Sequence, residues 1–130
     1  MNGNVALDTN IAIAVLKGET GVAEKLQNAG RIFLPLPVVG ELFFGALNSQ
    51  RAEANLSRTQ QLIQRSTILQ MGSETASLYA RTRMTLKQKE RPIPENDIRI
   101  AASCLEHQVV LMTNDTHFQS IEGLAVEPLG

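Results

Sequence analysis

Short apolar runs alternate along this chain with segments of helical character, and that alternation restricts its fold more than any other feature. Val5-Ala6-Leu7, Ile32-Phe33-Leu34, Thr67-Ile68-Leu69-Gln70-Met71 and Val109-Val110-Leu111-Met112-Thr113 have strand length and are mostly apolar throughout, without the strict alternation of a half-exposed strand. Strands buried on both faces belong to parallel sheets covered by helices, so the pattern predicts an α/β fold, three layers deep, with a mainly parallel central sheet. The 130 residues, 43% of them hydrophobic, predict one domain over 1–130, because a chain of this length buries about two thirds of its unfolded surface.

The segments between these runs read as helices. Residues 11–17 have helical length and composition and stop at Gly18. Val22, Ala23, Leu26 and Ala29 space a second helix over 20–29, ended by Gly30. Pro35 and Pro37 bound the second strand, over 31–34, and Pro37 suits the first turn of a helix over 38–48. Residues 51–65 carry one narrow stripe of Leu56, Leu62 and Ile63, which predicts an exposed helix. Ser73 and Glu74 open a long helix that closes in the basic run Lys87-Gln88-Lys89-Glu90-Arg91, where cations complement the helix dipole. Pro94-Glu95-Asn96-Asp97 opens a helix continuing over 98–107, and the tail predicts a short helical turn and an edge strand.

Two apolar strands end abruptly in polar groups, the first in Asp8-Thr9-Asn10 and the fourth in Asn114-Asp115. In a parallel α/β sheet, strand carboxy ends and the amino ends of the following helices share the edge where ligands bind. Glu41, early in the third helix, and Asp97, opening another, fall on that same edge. Each acid alone has a structural reading: Asp8 as a helix N-cap, Glu41 as a dipole partner, Asn96 and Asp97 as caps, Asn114-Asp115 as a turn. Gathered together, however, the four carboxylates repel one another unless a cation neutralises them. Oxygen donors with no His or Cys cluster favour Mg²⁺ or Mn²⁺ over Zn²⁺.

Charge and cysteine content narrow the classes further. A net charge of -1 excludes a protein that coats nucleic acid by charge alone, but not a nuclease whose acids and bases are segregated. The lone Cys104 sits in an apolar stretch and reads as a buried small hydrophobe. No apolar run approaches the roughly 20 residues of a membrane span and no secretory leader is evident, so the expected location is the cytoplasm.

Four segments then carry a family resemblance. Val5-Ala6-Leu7-Asp8-Thr9-Asn10, Gly40-Glu41-Leu42-Phe43-Phe44-Gly45-Ala46, the run from Ile93-Pro94-Glu95-Asn96-Asp97 to Ala102, and Leu111-Met112-Thr113-Asn114-Asp115-Thr116-His117-Phe118 resemble the successive motifs of the PIN-domain family, in that family's order. The likeness covers essentially the whole chain and is nearest to the VapC-type toxins of bacterial toxin–antitoxin pairs. It implies a metal-dependent endoribonuclease in which Asp8, Glu41, Asp97 and Asp115 bind one or two Mg²⁺ or Mn²⁺ ions, Asp8 centrally. Thr9, Asn10, Asn96 and Thr113 are the residues placed to orient those carboxylates, with ordinary turn and cap roles as the alternative. The cations available to hold RNA are Arg81, Arg83, Lys87, Lys89, Arg91 and Arg99, of which Lys87, Arg91 and Arg99 are singled out; a solvated helix surface is the other reading. His117 reads as a solvated loop histidine or one that reaches substrate, and His107 as a helix-end cation. The resemblance also implies a homodimer and a cognate antitoxin that inserts a segment near the acids, with the apolar run Leu42-Phe43-Phe44 adding surface that a core need not bury.

Other classes fit less well. A receiver-like phosphoacceptor requires its Asp at the end of a central strand, and the strand expected to be central, 67–71, ends in none. A haloacid-dehalogenase-like phosphatase requires a second Asp where Asn10 stands. A PIN scaffold that binds RNA or a partner without cutting is the remaining alternative.

Overall fold

The computed structural model describes residues 3–129. Its elements run β1 (Val5–Leu7), α1 (Thr9–Lys17), α2 (Val22–Gln27), β2 (Ile32–Pro35), α3 (Leu36–Leu47), α4 (Ala52–Gln64), β3 (Thr67–Leu69), α5 (Ser73–Gln88), α6 (Glu95–His107), β4 (Val110–Met112), a 3₁₀ turn (Thr116–Ser120) and β5 (Val126–Glu127). The five strands form one sheet in the order β3-β2-β1-β4-β5, and every neighbouring pair is parallel. The apolar, non-alternating strands predicted this arrangement: Val5, Ala6, Leu7, Leu34, Leu69, Leu111 and Met112 are all buried between flanking helices. Among the described residues, no helix is long and apolar enough to cross a membrane.

One expectation is overturned by the strand order. The strand over Thr67–Leu69 lies at an edge, and the central strand is β1, which does end in an acid, Asp8. What separates the fold from a receiver is therefore the order itself, since receivers follow 2-1-3-4-5. Strand order arises from how crossover helices pack, which no single run of residues encodes.

Several boundaries shift for local reasons. The second helix spans only Val22–Gln27, because Gly21 at φ 87° is left-handed and cannot belong to its first turn. Pro35 does not bound β2 but is its last residue, paired with Leu69, and α3 begins directly after it with Pro37 in the first turn. Gly72, not Ser73, caps α5; its N–H donates to the Thr75 hydroxyl at 3.0 Å, and Thr75 also bonds Glu106 of α6, tying the two helices together. β3 and β4 are each shorter than expected, at three residues, although the Thr113 N–H still donates to the Glu127 carbonyl beyond the end of β4.

The core is one cluster around the central strands, closed by Val38 and Leu42 of α3, Leu62 of α4, Leu86 of α5, Ile98 and Ala101 of α6, and Phe118 of the 3₁₀ turn. Cys104 belongs to it, 1% exposed, and burial pushes its thiol up to about 12, so it is an inert packing residue at neutral pH.

Candidate metal centre at the carboxy edge of the sheet

Parallel register brings the first two site residues together. Leu7 pairs with Met112, so the next residues along, Asp8 and Thr113, emerge side by side at the carboxy edge. The Asp8 N–H still donates to the Met112 carbonyl at 3.3 Å. Asp8 is 5% exposed and its carboxylate is held from two sides: Oδ1 accepts the Ile11 N–H at 2.9 Å, and Oδ2 accepts the Thr113 hydroxyl. Asp8 is thus the N-cap of α1 and a site carboxylate at once; the two readings of its sequence position are compatible. Thr113, 2% exposed, also accepts the Asp115 N–H at 3.0 Å, so one hydroxyl positions two acids.

Asp97 enters from the first turn of α6, which starts directly after Pro94. Asp115 follows β4 and caps the 3₁₀ turn: its Oδ1 accepts the His117 N–H at 3.3 Å, an Asp-centred turn that folds the His117 ring back over the acids. His117 Nε2 then lies 2.5 Å from Asp115 Oδ2 and 3.2 Å from Asp97 Oδ2. This nitrogen is enclosed between the two carboxylates it pairs with. Donor atoms of Asp97, Asp115 and His117 all fall within 4.8 Å of one another.

Glu41 stands apart from this group. It is exposed in the second turn of α3 and is linked to the site through Asn96, whose Nδ2 donates to Glu41 Oε1 at 3.4 Å. Thr9 and Asn10 hydrogen-bond none of the four acids among the described residues. Arg99 turns away from Asp97 around the helix; it pairs with Glu95 at 3.6 Å and lies 5.0 Å from the Tyr79 ring centroid. Arg91 is exposed beside Lys89, Thr116 and Gln119 on a polar cavity of about 430 Å³ next to the 3₁₀ turn, and Lys87 ends α5 exposed. His107 closes α6 as expected, with Nε2 3.1 Å from the Gln70 carbonyl oxygen.

His117 is the site member that the residue-by-residue reading left undecided between a solvated loop and the substrate side, without placing it among the carboxylates. The available signal was its spacing: an Asp two residues before a His, followed by an apolar anchor, makes a turn that returns the ring to the Asp. Phe118 is that anchor, 1% exposed, with its ring edge-on to His117 at 5.6 Å.

The electrostatics of the cluster suit a cation. Burial raises the Asp8 carboxyl above its ordinary 3.8, against the lowering by Thr113 and Ile11, and Asp115 raises it further. Burial likewise raises Asp97; His117 opposes this, while the charges of Asp115 and Asp8 add to it. An enclosed imidazole nitrogen within 4.8 Å of carboxylate oxygens that resist ionising is a donor set that a divalent ion would satisfy. The folded chain holds these two protons more tightly than the unfolded chain, so their contribution to stability is fully present below 3.8 and is lost as pH rises through their folded-state values. For the metal-free protein, the stability difference between wild type and Asp8→Asn/Asp97→Asn therefore opens in the variant's favour above pH ~4 and reaches a plateau; urea midpoints from pH 3.5 to 7 measure it, and a constant difference would refute it.

A parallel α/β sheet with three aspartates and a histidine converging at its carboxy edge defines the class of acidic-site folds suited to holding a divalent cation against a phosphate. The chain belongs to the PIN domain family, whose model matches residues 5–124. It is 32% identical to the ribonuclease VapC2 of Haemophilus influenzae over 124 residues, covering 93% of this chain and 94% of that one. It is 30% identical to the tRNA(fMet)-specific endonuclease VapC of Shigella flexneri, with the same coverage. Its fold is similar to the DNA-bound VapBC structure from Salmonella typhimurium, with a TM-score of 0.92 and 27% identity over 98% of both chains.

Proposed function

We propose that this chain is a divalent-metal-dependent endoribonuclease acting as the toxin of a toxin–antitoxin pair. The observation that carries the reading is the convergence of Asp97, Asp115 and the His117 nitrogen, with Asp8 beside them, on the sheet edge where the family motifs fall. Relatives named ribonuclease or endonuclease, matched along nearly their whole length, support the reaction class.

When bound, Mg²⁺ or Mn²⁺, as one ion or two, supplies a water of lowered pKa and positive charge against the scissile phosphate. The chain's residues divide the remaining work. Asp8, fixed by Ile11 and Thr113, is the central ligand and has no freedom to turn away. Asp97 and Asp115 present carboxylates from two other elements, and Glu41, oriented by Asn96, is available to align or deprotonate the attacking water. Arg91 and Lys87 are the cations we assign to the RNA backbone, whereas Arg99 is engaged by Glu95 and Tyr79.

Two surfaces fit the partners. A largely apolar groove of about 260 Å³ between α1, α3 and α4, lined by Ile13, Leu16, Leu42 and Ala46, opens beside Glu41 and suits an antitoxin segment reaching toward the acids. The similarity to VapBC structures supports such a partner. Leu36, Phe44 and Leu47 of α3 are exposed, Phe44 by 65%, and form the apolar surface we assign to a second copy.

Purified protein incubated with structured RNAs should cleave them with Mg²⁺ or Mn²⁺ and stop when the ion is chelated. Asp97→Asn should be inactive in parallel. Cleavage surviving in that variant would indicate a contaminating ribonuclease, and ion binding without cleavage would favour the silent scaffold.

A further inference from the structure

We propose that His117 is itself a ligand of the divalent ion, making the centre a mixed carboxylate–imidazole site that prefers Mn²⁺ to Mg²⁺. The inference rests on the metal-site reading above and adds a nitrogen donor to its carboxylates. His117 Nε2 occupies the position between the Asp97 and Asp115 carboxylates, 3.2 and 2.5 Å from their nearer oxygens. The nitrogen itself is shut off from solvent, although the side chain as a whole is 35% exposed. In the ion-free chain this nitrogen meets the two carboxylates directly as ion pairs; a divalent ion placed among the three takes the imidazole lone pair and both carboxylates as ligands in place of that pairing.

Local structure holds the ring there. Asp115 Oδ1 accepts the His117 N–H, Thr113 Oγ accepts the Asp115 N–H, and the buried Phe118 ring abuts the imidazole edge-on. The histidine therefore does not need to be recruited from solvent. Its donor atom lies within 4.8 Å of donors from Asp97 and Asp115, the scale set by ligands about 2.1 Å from one ion and up to about 4.2 Å from each other, which small side-chain rotations close. As a ligand the imidazole is neutral, its proton on Nδ1. Mg²⁺ strongly prefers oxygen and dehydrates reluctantly, whereas transition ions accept imidazole readily; a nitrogen donor therefore biases the site toward Mn²⁺.

The test is pulsed electron paramagnetic resonance on tag-free, Mn²⁺-loaded protein. The chain has two histidines, and His107 closes the far end of α6, so ¹⁴N modulation of an imidazole type would report His117. The expected result is that modulation in wild type and its loss in His117→Asn. Calorimetric titration of the same pair should show Mn²⁺ affinity falling about tenfold and Mg²⁺ affinity changing by less than about threefold. Tight Mn²⁺ binding without ¹⁴N modulation, or equal losses for both ions, would overturn the ligand role and leave the metal site intact. No binding of either ion to wild type would overturn both readings.

Discussion

Asp8→Asn should abolish RNA cleavage, lowering it by at least about 100- to 1000-fold, and at pH 7 should raise the melting temperature of the metal-free protein by a few degrees. Both effects come from the same atoms. The carboxylate is 5% exposed, and burial together with the Asp115 charge disfavours its ionised form. An Asn in its place can still accept the Ile11 N–H and meet the Thr113 hydroxyl, but carries no charge to desolvate. Function at this position is held at a cost in stability. Mn²⁺ at about a hundred times its dissociation constant should stabilise wild type by about 2.7 kcal/mol, visible as a clear upward thermal shift, and should shift Asp8→Asn little. Activity assays and thermal melts with and without ion check the pair of effects; equal ion-induced shifts in both proteins would refute Asp8 as a ligand.

Phe118→Ala should cost about 3–5 kcal/mol of unfolding free energy, measured by urea denaturation. The ring is 1% exposed and belongs to the main core, although it sits on a five-residue 3₁₀ turn near the chain's end. That is a large fraction of the 5–15 kcal/mol that typically holds a protein folded. Because the same ring abuts His117 and anchors the turn that Asp115 caps, the variant should also bind Mn²⁺ more weakly where it remains folded. A cost under about 1 kcal/mol would mean that the turn does not depend on this anchor.

The residues themselves determined the element types and most of the site. Apolar runs bounded by Gly and Pro, with caps and helical spacing between them, are local signals, and all five strands and the long helices appear where those signals fall. The acids were legible for the same reason. An α/β sheet maps strand ends and helix starts onto one edge, so sequence position alone located Asp8, Asp97 and Asp115 there. Tertiary structure decided what depends on non-local partners. It put β1 rather than β3 at the sheet's centre, because order follows from the packing of the crossover helices. It turned Arg99 toward Glu95 and Tyr79 and away from the acids, a choice made by α5 packed against α6. It left Glu41 at the rim, joined among the described residues through Asn96. It also folded His117 into the carboxylate cluster, where a reading of the residues alone left it either in solvent or reaching toward substrate, because a side chain's direction on a tight turn depends on what the neighbouring ring is buried against.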